Sequence, residues 1–257
     1  MLTIENLTVD LGGQNILHDL NMAVPAGQVS VILGPNGSGK STLLRAIAGE
    51  LPYGGSIRLE QHEIRAAKAW ELAALRGVLP QSTAVAFPFT VAEVVRLGLR
   101  AGVNADQAGI VHAALAEVRM QDFADRPVQD LSGGQMARVH LARVRAQIWH
   151  GGPGTWLFLD EPVASLDIGH QLEVMQIMRA FAQTGGGVVA VMHDLNLSTM
   201  VADRMILMKQ GKIVAQGAPG QVMHDRILTE VYDCPVRVAQ APPDRAWVLP
   251  QAFGAAS

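Results

Sequence analysis

The chain has 257 residues, a formal net charge of −3, one cysteine and 49% hydrophobic against 17% charged residues. This composition excludes a disordered chain and a strongly basic nucleic-acid binder, and a chain of this length buries enough surface (roughly 70–75%) to fold without disulfides or a structural metal. Lone Cys234 excludes an internal disulfide framework.

The mean hydropathy of +0.20 is high. Yet the chain has no stretch near the ~18 uninterrupted apolar residues of a membrane helix. The opening MLTIENLTVDLGG lacks a basic region followed by an apolar one, so it reads as part of the fold rather than as a secretion signal. Leu2, Ile4, Leu7, Val9 and Leu11 predict short strands, with Glu5-Asn6 and Gly12-Gly13 as turns. A second run from Ile16 to Val24 ends at Pro25-Ala26-Gly27. Gln28–Leu33 is a compact apolar strand that leads into a glycine-rich loop and a helix over Ser41–Gly49.

From Pro88 to about Arg145 the pattern is helical, with faces at Val91, Val94, Val95 and Leu97 and at Val111, Ala114, Leu115 and Val118. A strand follows at Trp156–Leu159. Val174, Ile177, Met178 and Phe181 then mark a helix, and Val188–Met192 another strand after Gly185-Gly186-Gly187. Alternating strands and helices predict a mostly parallel sheet covered on its faces, with an inserted helical block. The last residues, with Pro235, Pro242, Pro243 and Pro250, read as an irregular tail.

Gly34-Pro35-Asn36-Gly37-Ser38-Gly39-Lys40-Ser41 matches the phosphate-loop pattern and is followed by Thr42. Glycines there let backbone N–H groups approach phosphate oxygens, and the following helix adds its positive end. Lys40 suits β/γ-phosphate charge, and the Ser41 hydroxyl suits Mg²⁺. Such a loop indicates a nucleoside triphosphate without naming the reaction. The apolar strand Trp156–Leu159 runs into Asp160 and Glu161. Neighbours on a strand point to opposite sides, so the two acids have separate work: Asp160 toward Mg²⁺, Glu161 as general base on the attacking water. Leu131-Ser132-Gly133-Gly134-Gln135 forms a second anion-binding turn at a helix start. One nucleotide does not need two such turns from one chain, which points to two chains sharing nucleotides.

With these motifs, Gln81 in Leu79-Pro80-Gln81, Ser165-Leu166-Asp167 and His193 in Met192-His193-Asp194, the sequence resembles the ATP-binding subunits of ABC transporters over essentially its whole length. The resemblance implies an α/β P-loop NTPase: a RecA-like core with an N-terminal antiparallel β subdomain, and an inserted α-helical subdomain. It divides the chain into core 1–85 and 151–235, helical subdomain about 86–150 and tail 236–257. It implies ATP and Mg²⁺ as cofactors and a homodimer closing head to tail. Each ATP would lie between Gly34–Thr42 of one chain and Ser132, Gly133, Gly134 and Gln135 of the other, with Asp167 nearby. Catalysis would fall to Glu161, His193, Lys40 and Gln81, and the metal to Ser41, Gln81 and Asp160. Two transmembrane permease subunits would be partners at the cytoplasmic face of the cell membrane, with an extracytoplasmic binding protein delivering cargo and no nucleic acid involved.

Two positions depart from the family pattern. The aromatic residue that usually stacks on adenine is missing at Val9, Asp10 and Leu11, which leaves Leu11, with Val9 as the alternative, for apolar contact, and Val163-Ala164 replaces the usual Thr-Ser. Ala86–Val95 and His193–Leu197 are similar to importers of haem, iron-siderophores and cobalamin. Trp156–Pro162, Ala142-Arg143-Val144, Ala146-Gln147, Val236-Arg237-Val238 and Val248-Leu249-Pro250 are most similar to the haem (hemin) branch. Phe87 and Phe89, flanking Pro88, are anchors for a permease helix or packing residues of the helical block. A soluble ABC-type ATPase acting on DNA or ribosomes would usually carry a coiled-coil insertion or a second cassette, and only residues 82–130 separate Gln81 from Leu131. A small-molecule kinase would leave LSGGQ without a role.

Overall fold

A computed structural model describes residues 1–81, 88–101, 108–240, 246 and 248. Strands β1 (Leu2–Leu11) and β2 (Gln14–Val24) are joined by Gly12-Gly13 at φ 59° and 80°. Both glycines adopt the left-handed backbone that tight hairpin turns favour. Glu5-Asn6 is not the turn the sequence predicts. β1 continues through it as a bulge, with the register shifting between Ile4 and Leu7 and Asn6 at φ 50°. Ile4 and Leu7 are both buried although an odd spacing would put them on opposite faces; the bulge absorbs the extra residue.

Next come β3 (Val29–Leu33), α1 (Lys40–Ile47), β4 (Gly54–Leu59), β5 (His62–Glu63), α2 (Ala69–Leu75) and β6 (Arg76–Leu79). Three helices follow, α3 (Val91–Ala101), α4 (Ala108–Glu117) and α5 (Gly133–Gln147). The chain then runs through β7 (Trp156–Asp160), α6 (Ile168–Gln183), β8 (Gly187–Val191), α7 (Leu195–Val201), β9 (Arg204–Lys209), β10 (Lys212–Gly217), α8 (Pro219–Val222) and α9 (Asp225–Tyr232). One antiparallel sheet has the order β2-β1-β4-β5; the other has the order β10-β9-β3-β8-β7-β6. All neighbours in the second sheet are parallel except the β9–β10 pair.

The central strands bury both faces, which is why they read as unbroken apolar runs. Val31, Leu157, Leu159, Val188 and Ala190 face one core together with α3–α6. Ile32, Trp156, Phe158, Val189 and Val191 face the other. That second core is completed by Leu2, Ile4, Leu7 and Val9 of the antiparallel sheet and by Leu43, Leu44, Ala46 and Ile47 of α1. Helix α1 therefore lies between the two sheets.

The inward face of α3 is Val91, Val94, Val95 and Leu99; Leu97, predicted on it, is 40% exposed. The buried set follows the i, i+3, i+4, i+8 spacing of one helical stripe, and position 97 falls off it. The tail lies largely outside the described residues. Its beginning folds back on α9, where Asp225 accepts from the Val238 amide at 2.8 Å and pairs with Arg237 at 2.9 Å.

Trp156 is fully buried, its ring where a side chain on Gly187 would collide, and its Nε1–H donates to Glu60 Oε1 at 2.9 Å. Trp156→Phe is expected to lower unfolding free energy by about 1–3 kcal/mol in urea titrations, from lost ring volume and one lost hydrogen bond, Glu60 Oε1 keeping the N-terminal ammonium as partner. A loss under ~0.5 kcal/mol would show that neither the ring nor the bond contributes.

Candidate nucleotide site

The C-terminal ends of β3, β6, β7 and β8 lead to Gly34, Gln81, Asp160-Glu161 and His193. Parallel strands running the same way place these residues along one edge, where open α/β sheets hold ligands. The loop after β3 has Gly34, Gly37 and Gly39 at φ 150°, 77° and 97°. A Cβ on Gly34 would lie 2.1 Å from Met208 O, and one on Gly39 2.7 Å from Leu17 Cδ2. The loop needs glycine there for conformation and for space.

Lys40 opens α1, is 5% exposed, and donates through Nζ to Gly34 O at 2.9 Å and Pro35 O at 3.0 Å. Burial pushes its ammonium below the usual lysine range, against the opposing pull of Glu161 and Asp160. Ser41 Oγ–H donates to Asp160 Oδ1 at 3.2 Å. Burial raises the Asp160 carboxyl, with the Ser41 hydroxyl lowering it and the neighbouring Glu161 raising it further. Glu161 takes a left-handed backbone, φ 53°, and its amide donates to Val191 O at 3.0 Å. Its Oε1 lies 2.5 Å from His193 Nε2. Strained backbone of this kind is characteristic of functional turns, and here it aims the carboxylate at His193.

Asn36, Gly37, Gly39, Lys40, Ser41, Thr42, Gln81, Glu161 and His193 line one open cavity of about 550 Å³. Ser38 is buried beneath the loop, and Asp160 borders an adjoining cavity of about 320 Å³ that shares Ser41 and Gln81 with the first.

The turn at Ser132 starts α5. Ser132 Oγ accepts from the Gln135 amide at 3.3 Å, and Gln135 Oε1 accepts from the Ser132 amide at 2.9 Å. This reciprocal box caps the helix and leaves the turn exposed. A side chain on Gly133 would meet nothing, whereas one on Gly134 would come 3.1 Å from Ser165 O. The 132–134 and 165–167 turns thus pack against each other, and neither borders the phosphate-loop cavity of its own chain.

A model of the ABC transporter family matches residues 17–164. The chain belongs to the ABC transporter family. It is 55% identical to the hemin import ATP-binding protein HmuV of Roseobacter denitrificans over 98% of both chains. It is 52% identical to the protein of that name from Jannaschia sp., over 97% of this chain and 94% of the relative. Among solved structures it is similar to a dimeric ATP-binding cassette in a post-hydrolysis state bound to ADP and phosphate, with 25% identity, a TM-score of 0.74, and coverage of 85% of this chain and 99% of that one. The fold is that of a P-loop ABC ATPase, and ATP is its substrate.

In this ABC ATPase two expected nucleotide contacts, Leu11 and Asp167, stand apart from the cavity. Leu11 is half-buried against the core beneath β1 and β2 and does not line it. Asp167 caps α6, accepting from the His170 amide at 3.0 Å and holding the His170 ring at 2.8 Å. Those contacts, the backbone bond first, hold its carboxyl below the usual range. Phe87 lies outside the described residues. Phe89 is half-buried against the core that holds α3, and its carbonyl accepts from Val128, so it packs inside the helical block rather than offering an anchor. The sequence reading also missed Tyr232 of α9, whose hydroxyl burial pushes up to about 12, with the Gly34 backbone pulling the other way.

Among the described residues no helix is long and apolar enough to cross a membrane.

Proposed function

We propose that this chain is the ATP-hydrolysing subunit of a haem importer, working as a homodimer against two permease subunits at the cytoplasmic face of the cell membrane, with cargo delivered by an extracytoplasmic haem-binding protein. The observation that carries the cargo is the full-length identity, 55% and 52%, to hemin import ATP-binding proteins.

The site supports a division of labour. Lys40 and the backbone of Gly34–Thr42 bind the phosphates. Glu161 takes the proton of the attacking water, and His193, bonded to it, orients that carboxylate and meets the γ-phosphate. The half-buried Ser41 hydroxyl and the buried Asp160 carboxylate form a pair of hard oxygen donors that fits Mg²⁺, which takes few protein ligands and completes its shell with phosphates and water. Bound there, it would supply charge neutralisation at the β- and γ-phosphates. Gln81, at the boundary of both cavities, would sense the site from the side of the second cavity. That cavity has an apolar wall of Leu44, Ala48, Val78 and Leu79 and a charged rim of Arg45 and Glu50, suited to a permease segment. Residues 86–150 act as the helical subdomain that brings Ser132 and Gly134 to the partner's nucleotide, and the core is 1–85 with 151–235. ATP binds the closed dimer better than the open one, and that difference is what can work on a permease.

Reconstitution with the permease and binding protein tests the cargo. Hemin is expected to stimulate ATPase activity while a ferric siderophore and cobalamin do not. Stimulation by one of those instead would move the chain to another branch, and no coupling to any permease would overturn the transport reading. The dimer has its own test. Ser132→Arg places a bulky cation at the exposed cap and is expected to abolish ATP-induced dimerisation in sizing experiments with far-ultraviolet dichroism unchanged. A normal ATP-induced dimer of that variant would overturn the shared site.

A further inference from the structure

The turn that follows Glu161 is tied to α6 at its far end by one side chain. Asp167 caps α6 and accepts from the His170 amide at 3.0 Å. The His170 ring adds a second hold: its Nδ1 lies 2.8 Å from Oδ1 and 2.9 Å from Oδ2 of Asp167. A carboxylate only accepts, so Nδ1 carries the proton and donates. Both Asp167 oxygens are thereby engaged, whereas a helix cap needs only one. Gln171, the next residue of α6, holds the start of the same turn, its Nε2 donating to Val163 O at 3.3 Å. Between these anchors the Ala164 amide donates to Glu161 O at 3.2 Å and the Leu166 amide to Val163 O at 3.3 Å.

The turn so fixed is the seat of the exposed turn at Ser132. A Cβ on Gly134 would stand 3.1 Å from Ser165 O and 3.5 Å from Leu166 Cδ2. Packing that close leaves little slack, so displacing one turn displaces the other. We propose that His170 is a positioning residue for the shared nucleotide site. By holding both oxygens of Asp167 it fixes the 165–167 turn, and through that turn the place where Ser132 and Gly134 meet the partner's nucleotide. His170 lines neither the phosphate-loop cavity nor the adjoining one; it acts through Asp167. The role rests on the shared-site reading, which it deepens, and not on the cargo.

His170→Ala in the full chain removes the ring and keeps the backbone amide that Asp167 caps with. The melting temperature without nucleotide is therefore expected to hold. ATP-driven dimerisation is read by sedimentation in the Glu161→Gln background, where ATP stays bound. The ATP concentration giving half the dimer is expected to rise about 3–10-fold in His170→Ala, the range for one modest hydrogen bond. His170→Asn puts an amide N–H near the place of Nδ1 and is expected to bring that concentration back to within about twofold of the parent. ADP binding to the monomer uses the phosphate loop and is expected to be equal in all three. A merely structural ring would lower the nucleotide-free melting temperature and leave dimerisation alone. That result, an unchanged ATP requirement in His170→Ala, or no rescue by His170→Asn overturns the proposal. Absence of an ATP-driven dimer in the Glu161→Gln parent would bring down the shared site and this role together. A normal parent beside an unaffected His170→Ala removes the role of His170 alone.

Discussion

Replacing Glu161 by Gln is expected to cut ATP turnover by ~10²–10⁴ while ATP remains bound, the range for loss of a positioned general base. Lys40 and Asp160 also feel the Glu161 charge, which favours the Lys40 ammonium and disfavours the Asp160 carboxylate. Glu161 is anchored through its backbone amide to Val191, and Gln can take the same left-handed turn at similar cost. Its amide oxygen can still accept from His193, so geometry is kept and basicity alone is lost. Because Glu161 and His193 act as one pair, the double variant Glu161→Gln/His193→Ala is expected to be little worse than Glu161→Gln alone. Single-turnover hydrolysis beside nucleotide binding separates the two effects. Hydrolysis near the unmodified rate in Glu161→Gln would remove Glu161 from the role of base.

Lys40→Ala is expected to weaken ADP and ATP binding by about 10²-fold, the loss of one strong hydrogen bond to a charged group. Equilibrium binding measures it directly. The stability of the nucleotide-free chain should not follow. Burial lowers the Lys40 pKa in the folded state, so its charge is a liability of folding at neutral pH. Below the folded pKa both states carry the charge and only the folded one bears the desolvation cost. The cost is released as pH rises through the folded pKa toward 10.5. Alanine removes it throughout. Unchanged ATP affinity in Lys40→Ala would show that the ammonium does not serve phosphate.

The phosphate loop, the acid pair and the Ser132 turn are legible in sequence because each draws its chemistry from contiguous residues. Three glycines, a lysine and a hydroxyl in one octapeptide leave few alternatives. The central strands are legible because double-sided burial makes them uniformly apolar. Other features escape for physical reasons. The bulge at Glu5-Asn6 imitates a turn in composition and shows itself only when Ile4 and Leu7 must share a face. Leu97 looks like part of a stripe until the helix phase is fixed by Leu99. Asp167 has the residue type of a nucleotide contact and the position of a helix cap, and within one chain the cap describes its contacts. The hairpin β4–β5 and strand β10 are hard to read because half-exposed strands carry a weaker pattern than the central ones, whereas β9, buried from Met205 to Met208, is an apolar run left unassigned. The Tyr232 hydroxyl is buried only through the docking of α9 on β9, an arrangement of distant parts of the chain that local spacing does not encode.

Helix α1 grows out of the nucleotide loop and is gripped by apolar neighbours on both sides, one sheet above and one below. An element held that way is a poor hinge. Only its Arg45 side is open, toward the second cavity and solvent, and interiors packed to crystal-like density do not yield to small forces. A change of charge at its N-terminal end is therefore borne by both sheets rather than absorbed by the helix. Gln81 at the cavity boundary, the capped turn at Ser132 and the turn at 165–167 that leans on it lie outside that two-sided packing. The loop at the N-terminal end of α1 inherits that rigid seat.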